Sequence, residues 1–311
     1  MKAVYVEQPG SADTLIYGER PRPQIRAGEV LVRVHAAGVN PVDWKTRQNG
    51  PGNFASGDPF PFISGWDISG VVEEVAPDVT AFKVGDEVYG MVNFPGIGAA
   101  YAEYVASPAA HLAHKPETLD HIGAAALPLA VLTAWQSLFD TAGLQSGQSV
   151  LVLGASGGVG HLAVQLAKWK GAHVVGTASA RNADLLRELG VDDVIDYNAG
   201  PLKEQIGPVD VALNTVSPQA LEEAYGLVRP GGFLVSVAGR TTPEQAEAHG
   251  IRAASILVAS NGSQLADIAQ LVDAGQVKPY VGAVFDLRDT AQAHELSQTG
   301  RARGKIVLRV V

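Results

Sequence analysis

The chain has 311 residues, no cysteine and a formal net charge of −9. Its length fits about two domains at roughly 100–200 residues each, and an apolar content of 46% supplies sizeable cores and argues against disorder. The missing cysteine excludes disulfides, thiolate nucleophiles and every cysteine-bearing zinc site, and an acidic globule has no net field for nucleic acid or an anionic membrane.

In chain order, the opening segment Met1-Lys2-Ala3-Val4-Tyr5-Val6-Glu7 meets an acid before an apolar stretch forms, so it does not read as a signal peptide. The longest apolar run, 122–135, is interrupted by Pro128 and is shorter than the ~20 residues of a spanning helix. The expectation is a soluble, cytoplasmic protein. Residues 3–6, 30–36, 68–75 and 87–91 read as strands, separated by turn clusters such as Ala27-Gly28-Glu29 and Asn49-Gly50-Pro51-Gly52. Short β segments with little helix predict a barrel-like domain over the first 120 residues. Lys45 falls on what reads as a turn after a strand.

The pattern changes near residue 119. Asp120 or a neighbour is expected to cap a helix over 122–126, and 129–141 reads as another. An apolar strand follows at 149–153, then a glycine-rich loop at 154–160 and a helix over 161–170. Strands at 173–177, 193–196, 209–215 and 233–238 alternate with helices, one of them at 182–189. Fully apolar strands alternating with helices predict a parallel sheet covered on both faces. A short strand at 256–258 is expected to extend it, and a helix at 264–274 to follow. The last stretch, 278–311, reads as strand, helix and strand returning to the first domain. The domains are therefore 1–120 with 275–311, and 121–274.

The loop Gly154-Ala155-Ser156-Gly157-Gly158-Val159-Gly160 carries the strongest signal. It lies between strand and helix, where a dinucleotide fingerprint belongs, with Ala155 in place of the first glycine. Gly157 lets the backbone approach a pyrophosphate, Gly160 lets helix and strand pack closely, and the helix N-terminus offers free N–H groups. An ordinary tight turn is the alternative. The acid that would bind the ribose hydroxyl of NAD about 20 residues on is missing: the second strand ends Val175-Gly176-Thr177-Ala178-Ser179-Ala180-Arg181. Ser179 and Arg181 suit a 2′-phosphate, which favours NADP(H); otherwise Arg181 is a solvated residue at a helix start.

Several segments together carry a family resemblance. They are Val39-Asn40-Pro41-Val42-Asp43, Val84-Gly85-Asp86-Glu87-Val88, Tyr101-Ala102-Glu103-Tyr104, Leu132-Thr133-Ala134, the 154–160 loop, Arg229-Pro230-Gly231-Gly232 and Gly304-Lys305-Ile306-Val307-Leu308. In these the chain resembles the medium-chain dehydrogenase/reductase superfamily, in its zinc-independent quinone oxidoreductase, or zeta-crystallin-like, branch. The resemblance implies an α/β chain: a GroES-like β-barrel catalytic domain plus a Rossmann domain with a doubly wound parallel sheet, the active site lying in the cleft. Asn40 stands where zinc alcohol dehydrogenases of the superfamily have a first cysteine, and Gly65-Trp66-Asp67 replaces their Gly-His-Glu. A metal is therefore not expected.

The implied chemistry is hydride transfer from NADPH to a quinone or to an activated C=C bond of an enone or enal. Lys45 and Asn40 are the candidate donors to the developing oxyanion. Each has a plainer reading, a surface lysine and a holder of loop backbone. Asp43 joins them as a candidate; it and Asp67 read most simply as orienting Lys45 or capping a turn. Trp44 and Trp66 could wall a substrate pocket or lie in the core. The family's cofactor pattern falls on Thr133, Ser156, Gly157, Gly158, Val159, Ser179, Arg181, Tyr197, Val237, Ala238, Gly239, Val258 and Ser260. Residues 254–258 have the composition of an edge strand that pairs two copies into a homodimer. His111 and His114 make only a weak ligand pair. Two other readings stand beside this one: an enoyl reductase of a polyketide or acyl pathway, and a non-catalytic NADPH-binding structural or regulatory protein.

Overall fold

The computed structural model of the chain describes residues 1–52 and 60–311. Two compact units emerge. One comprises Met1–Leu132, Ala259–Gly275 and Pro279–Val311, the other Thr133–Val258 and Gln276–Lys278. Residues 53–59 lie outside the described residues.

The first unit opens with β1 (Lys2–Val6), β2 (Ile16–Glu19), β3 (Glu29–Val39), α1 (Pro41–Asn49), β4 (Phe62–Ile63), β5 (Asp67–Val75), β6 (Glu87–Met91), β7 (Tyr104–Pro108) and β8 (Leu112–His114). Two helices follow, α2 (His121–Ala125) and α3 (Pro128–Trp135). Asp120 caps α2 as expected, its carboxylate accepting the Gly123 N–H at 2.7 Å. The expected helix over 129–141 is split: α3 ends at Trp135 and a π-helical turn, Gln136–Thr141, continues it.

The second unit holds β9 (Ser149–Leu153), α4 (Gly160–Trp169), β10 (His173–Ala178), α5 (Ala183–Glu188), β11 (Asp193–Asp196), α6 (Leu202–Gln205) and β12 (Val209–Asn214). It continues with α7 (Pro218–Tyr225), β13 (Val228–Ser236), α8 (Pro243–Ala248) and β14 (Arg252–Ser255). The chain then returns to the first unit through α9 (Gly262–Asp273), β15 (Val281–Asp286), α10 (Thr290–Gln298) and β16 (Lys305–Arg309).

The first unit's main sheet runs β15-β16-β3-β5-β6-β8, with β7 also on β3; a smaller sheet is β2-β1-β4. Most pairings are antiparallel. The tail enters the core of this unit: β16 pairs antiparallel with β3, Ile306 opposite Val39. Val30, Val32, Val34, Ile68, Val72, Val88 and Val105 form one apolar cluster.

In the second unit the sheet order is β11-β10-β9-β12-β13-β14, parallel throughout. Val150, Leu151, Val152 and Leu153 of β9 are buried, as a strand covered on both faces requires. The strand order reverses between β9 and β12. Such a switch point, at the carboxyl ends of the strands, is where open α/β sheets bind ligands.

The units differ from the expected boundaries at 120/121 and 274/275. Residues 121–132 and 259–274 group with the first unit because α2 packs on β3 and β5, and α9 packs on β8, while 276–278 group with the second. The expected strand at 256–258 is instead β14, which ends at Ser255.

Candidate functional site

Asn40 begins α1 in an extended conformation, Pro41 takes the first helical position, and Asp43 reaches back to accept the Asn40 N–H at 2.6 Å. That is a proline-led helix start with a reciprocal acid. Lys45 therefore sits on a helix and not on a turn.

The same start anchors a buried polar cluster. Asn40 Nδ2 donates to Asp67 Oδ2 at 2.8 Å, and Lys305 Nζ donates to Asn40 Oδ1 and lies 3.5 Å from Asp67 Oδ2. Asp67 Oδ1 accepts the Leu129 N–H at 2.7 Å, at the start of α3. Asp43 Oδ2 accepts the Tyr101 hydroxyl at 2.6 Å. Behind Tyr101, His294 Nε2 stands 3.4 Å from the phenol oxygen, and Arg47 Nη1 donates to His294 Nδ1 at 3.4 Å. Donation thus runs from guanidinium to imidazole to phenol to carboxylate, which fixes the proton of a neutral His294 on Nε2.

Burial sets the protonation of this cluster. It pushes the Asp43 carboxyl up to about 7, against the hydrogen bonds from Tyr101 and Asn40. It raises Asp67 too, opposed chiefly by the Lys305 charge. Tyr101 is pushed well above its ordinary value, first by burial and then by Asp43. Burial lowers His294 to about 3, with Arg47 acting in the same direction. Asp43 Oδ2 accepts both donors, whereas Oδ1 is buried and has no partner among the described residues.

Asn40 and Asp43 are 2% and 0% exposed, and their polar contacts are within the unit. The cation beside Asp67 is Lys305, not Lys45, so neither acid orients Lys45, while Asp43 takes the capping role that was the other expectation. Lys45 is exposed, its ammonium 5.5 Å from the Trp44 ring. Trp66 is core, 1% exposed, with Nε1 donating to Gly96 O at 2.7 Å. Among the described residues no three His, Asp or Glu side chains gather as a metal-binding group. The His111 ring instead accepts the Asn93 N–H at 3.1 Å.

The second unit carries the loop. Gly154 N donates to Thr177 Oγ1 at 3.1 Å and Ala155 N to Thr177 O at 3.0 Å, which tie the loop to β10. A Cβ on Gly160 would meet Gly154 O at 2.2 Å, so helix and strand approach at a distance only glycine permits. Among the described residues the amides of Ser156, Gly158 and Val159 have no acceptor. They lie at the positive end of α4, a geometry suited to an anionic diphosphate.

The other residues singled out from sequence in this unit fall along the same sheet edge. Ser179 and Arg181 follow β10, Tyr197 follows β11, and Val237, Ala238 and Gly239 follow β13. Asn214, at the end of β12, donates through Nδ2 to Ala238 O at 2.8 Å and so shapes that turn. Asp184, the first acid after β10, is exposed and pairs with Arg187 at 2.7 Å. Thr133 is buried, and its carbonyl accepts from Ser137 Oγ. Val258 is buried beyond β14. Ser260 belongs to the first unit, where its hydroxyl donates to Met91 O at 2.6 Å. Sequence reasoning missed Lys305 as the buried cation, although Gly304-Lys305-Ile306 was one of the segments it weighed. It also missed Asn182, whose Nδ2 donates to Ser156 Oγ at 2.9 Å.

Comparison with known proteins fits this two-part architecture. The profile described as the alcohol dehydrogenase GroES-like domain matches residues 26–117, and that described as zinc-binding dehydrogenase matches residues 189–308. A mitochondrial NAD(P)H oxidoreductase of Danio rerio is 33% identical over 100% of this chain and 92% of its own length. The chain belongs to the medium-chain dehydrogenase/reductase superfamily, in its quinone oxidoreductase branch. A 2-methylene-furan-3-one reductase of Solanum lycopersicum is 36% identical, covering 100% of this chain and 79% of the relative. The solved quinone oxidoreductase of Coxiella burnetii superposes with a TM-score of 0.93 at 35% identity, covering 100% of this chain and 99% of that one. The first unit is thus GroES-like and the second a Rossmann sheet, and the protein is a nicotinamide-dependent oxidoreductase.

Proposed function

We propose that this oxidoreductase uses NADPH to reduce quinones or the activated C=C bond of enones and enals, without zinc. The observation that carries the cofactor reading is the open loop at 154–160, with its unpaired amides at the N-terminus of α4 and the strand-order reversal beside it. NADP rather than NAD is favoured by Ser179 and Arg181 at the end of β10, where no carboxylate waits for a ribose hydroxyl. Tyr197, 54% exposed after β11, suits the adenosine side.

When bound, the reduced nicotinamide supplies the hydride. The loop amides and Ser156 hold the diphosphate, and Val237, Ala238 and Gly239 shape the far end of the same sheet edge. Lys45 is the exposed donor left to face an oxyanion, while Asn40 and Asp43 hold the start of its helix. Zinc does not fit the residues. Asn40 and Asp67 are already bonded to the Lys305 ammonium, and the Trp66 indole offers only a donor, which Gly96 takes. The domain reading, 1–120 with 275–311 as the catalytic part and 121–274 for NADP, stands as part of this proposal with edges adjusted as above. A homodimer is supported by β14, the terminal strand of the parallel sheet, with Leu257 64% exposed beyond it. Cytoplasmic residence completes the reading.

NADPH oxidation with 1,4-benzoquinone and with a simple enone tests the activity. Turnover with either, insensitive to a zinc chelator, is the expected result. Tight NADPH binding with no turnover across a broad panel of electrophiles would instead make the chain a binding protein. Sedimentation tests the dimer.

A further inference from the structure

Asn182 precedes α5 at the N-cap position, where asparagine ordinarily accepts a hydrogen bond from the backbone of the first turn. Here it makes no such cap. Its side chain turns to the neighbouring loop, where Nδ2 donates to Ser156 Oγ at 2.9 Å. The residue is 6% exposed, and its Oδ1 is buried with no partner among the described residues. A side chain that leaves one buried acceptor unsatisfied and gives up its local cap is held there at a cost in stability.

The consequence lies at Ser156. A serine hydroxyl has one proton and two lone pairs. The Asn182 amide occupies a lone pair, so Ser156 acts here as an acceptor and its own O–H bond is left to donate elsewhere. Ser156 is partly exposed, and its hydroxyl stands in the same loop as the acceptor-free amides of Ser156, Gly158 and Val159. All of these donors suit a single anionic ligand.

We propose that Asn182 is a positioning residue of the dinucleotide site, fixing the Ser156 hydroxyl as a donor to the diphosphate. This rests on the reading of the 154–160 loop as the diphosphate cradle. It adds a link between the turn after β9 and the turn after β10: the segment beside the 2′-phosphate candidates also sets the hydrogen-bond polarity at the diphosphate. The Asn182 amide acts through Ser156 and touches no ligand itself.

The test is equilibrium binding of NADPH and of NADH to the intact protein, followed by nucleotide fluorescence. Asn182→Ala frees the Ser156 hydroxyl to rotate, and is expected to weaken both nucleotides by about threefold to tenfold. Asn182→Asp keeps the shape but accepts the Ser156 proton, reversing the bond; its loss should exceed that of the alanine variant. Ser156→Ala should lose about as much as Asn182→Ala, and the double variant no more than Ser156→Ala alone. Wild-type affinity in both Asn182 variants overturns the inference. So do losses that multiply in the double variant, or a loss confined to NADPH, which would place Asn182 at the 2′-phosphate. A wild-type protein that binds neither nucleotide overturns the loop reading itself. Should Asn182→Ala fail to fold, the ordering of Asn182→Asp against Ser156→Ala decides the matter.

Discussion

The cluster around Asp67 is closed, whereas the loop at 154–160 is open. In the first, ammonium, amide and carboxylate meet one another away from water, and Asp67 uses both of its oxygens. In the second, the amides of Ser156, Gly158 and Val159 have no acceptor among the described residues at a helix N-terminus. The closed cluster contributes integrity to its unit, whereas under the proposed function the open loop supplies affinity. Conspicuous polar residues need not be the binding surface: Asn40 and Asp43 are tied up inside the buried cluster, while plain backbone at Ser156, Gly158 and Val159 is the candidate binding surface.

Breaking the closed cluster should have the largest effect. Asp67→Leu leaves the Lys305 ammonium buried without its acid and the Leu129 N–H without its acceptor. The expected loss is about 3–5 kcal/mol in urea denaturation. Adding Lys305→Met should recover a substantial part of it, because an apolar pair tolerates burial where a lone charge does not. A double variant no more stable than the single would break the comparison.

The cluster should also show in the pH dependence of stability. The folded protein keeps a proton on Asp43 up to about pH 7, whereas the unfolded chain releases it near 4. That group alone makes stability fall as pH rises across this window. His294 stays neutral down to about 3, whereas the unfolded chain protonates it near 6.5, so its contribution falls as pH drops. The two slopes oppose each other between about pH 4 and 6.5. Asp43→Asn removes one of them, and stability should then rise with pH more steeply by up to about 1.4 kcal/mol per unit. An unchanged slope in denaturant titrations across that range would show that Asp43 is ionised in the folded protein.

The open loop should respond in affinity and not in stability. At Gly157 a Cβ would come 3.2 Å from Gly154 O, a contact that small shifts relieve, but it would stand where the diphosphate approaches. Gly157→Ala is expected to weaken NADPH about tenfold, or about 1.4 kcal/mol, with thermal stability nearly unchanged. Arg181→Ala should do less: about fivefold on NADPH and little on NADH, since only the former has a 2′-phosphate for the guanidinium. Equal losses on both nucleotides would move Arg181 away from the cofactor.

The legible parts of the molecule were local ones. The strand, glycine loop and helix of residues 149–170 follow one another in the chain, so their apolar run, turn and amphipathic pattern identify them. The return of the last stretch, from Pro279 to Val311, to the first unit was readable from its strand character and its family segments. Lys305 was not readable as the partner of Asn40 and Asp67, because 265 and 238 residues separate them and no periodicity spans such a gap. The helix at Lys45 did have a signal, Asn40-Pro41 with Asp43 two positions on, obscured by the strand-and-turn style around it. Asn182 was hidden for the opposite reason: an asparagine at a helix start reads as an ordinary cap, which it does not make, and its contact with Ser156 depends on two strand ends lying side by side. The split of 129–141 into α-helix and π-helical turn leaves no mark in composition.

The pairing of β16 with β3 also has a consequence for how the protein is made. Most of the sheet unit is one unbroken stretch, Thr133–Val258, and can close as soon as that stretch leaves the ribosome. The barrel unit must wait. Asn40 and Asp67 emerge early, yet their cation arrives only with Lys305, so for most of translation this carboxylate and asparagine have no ammonium to enclose. The first part of the chain to be synthesised is among the last to finish folding.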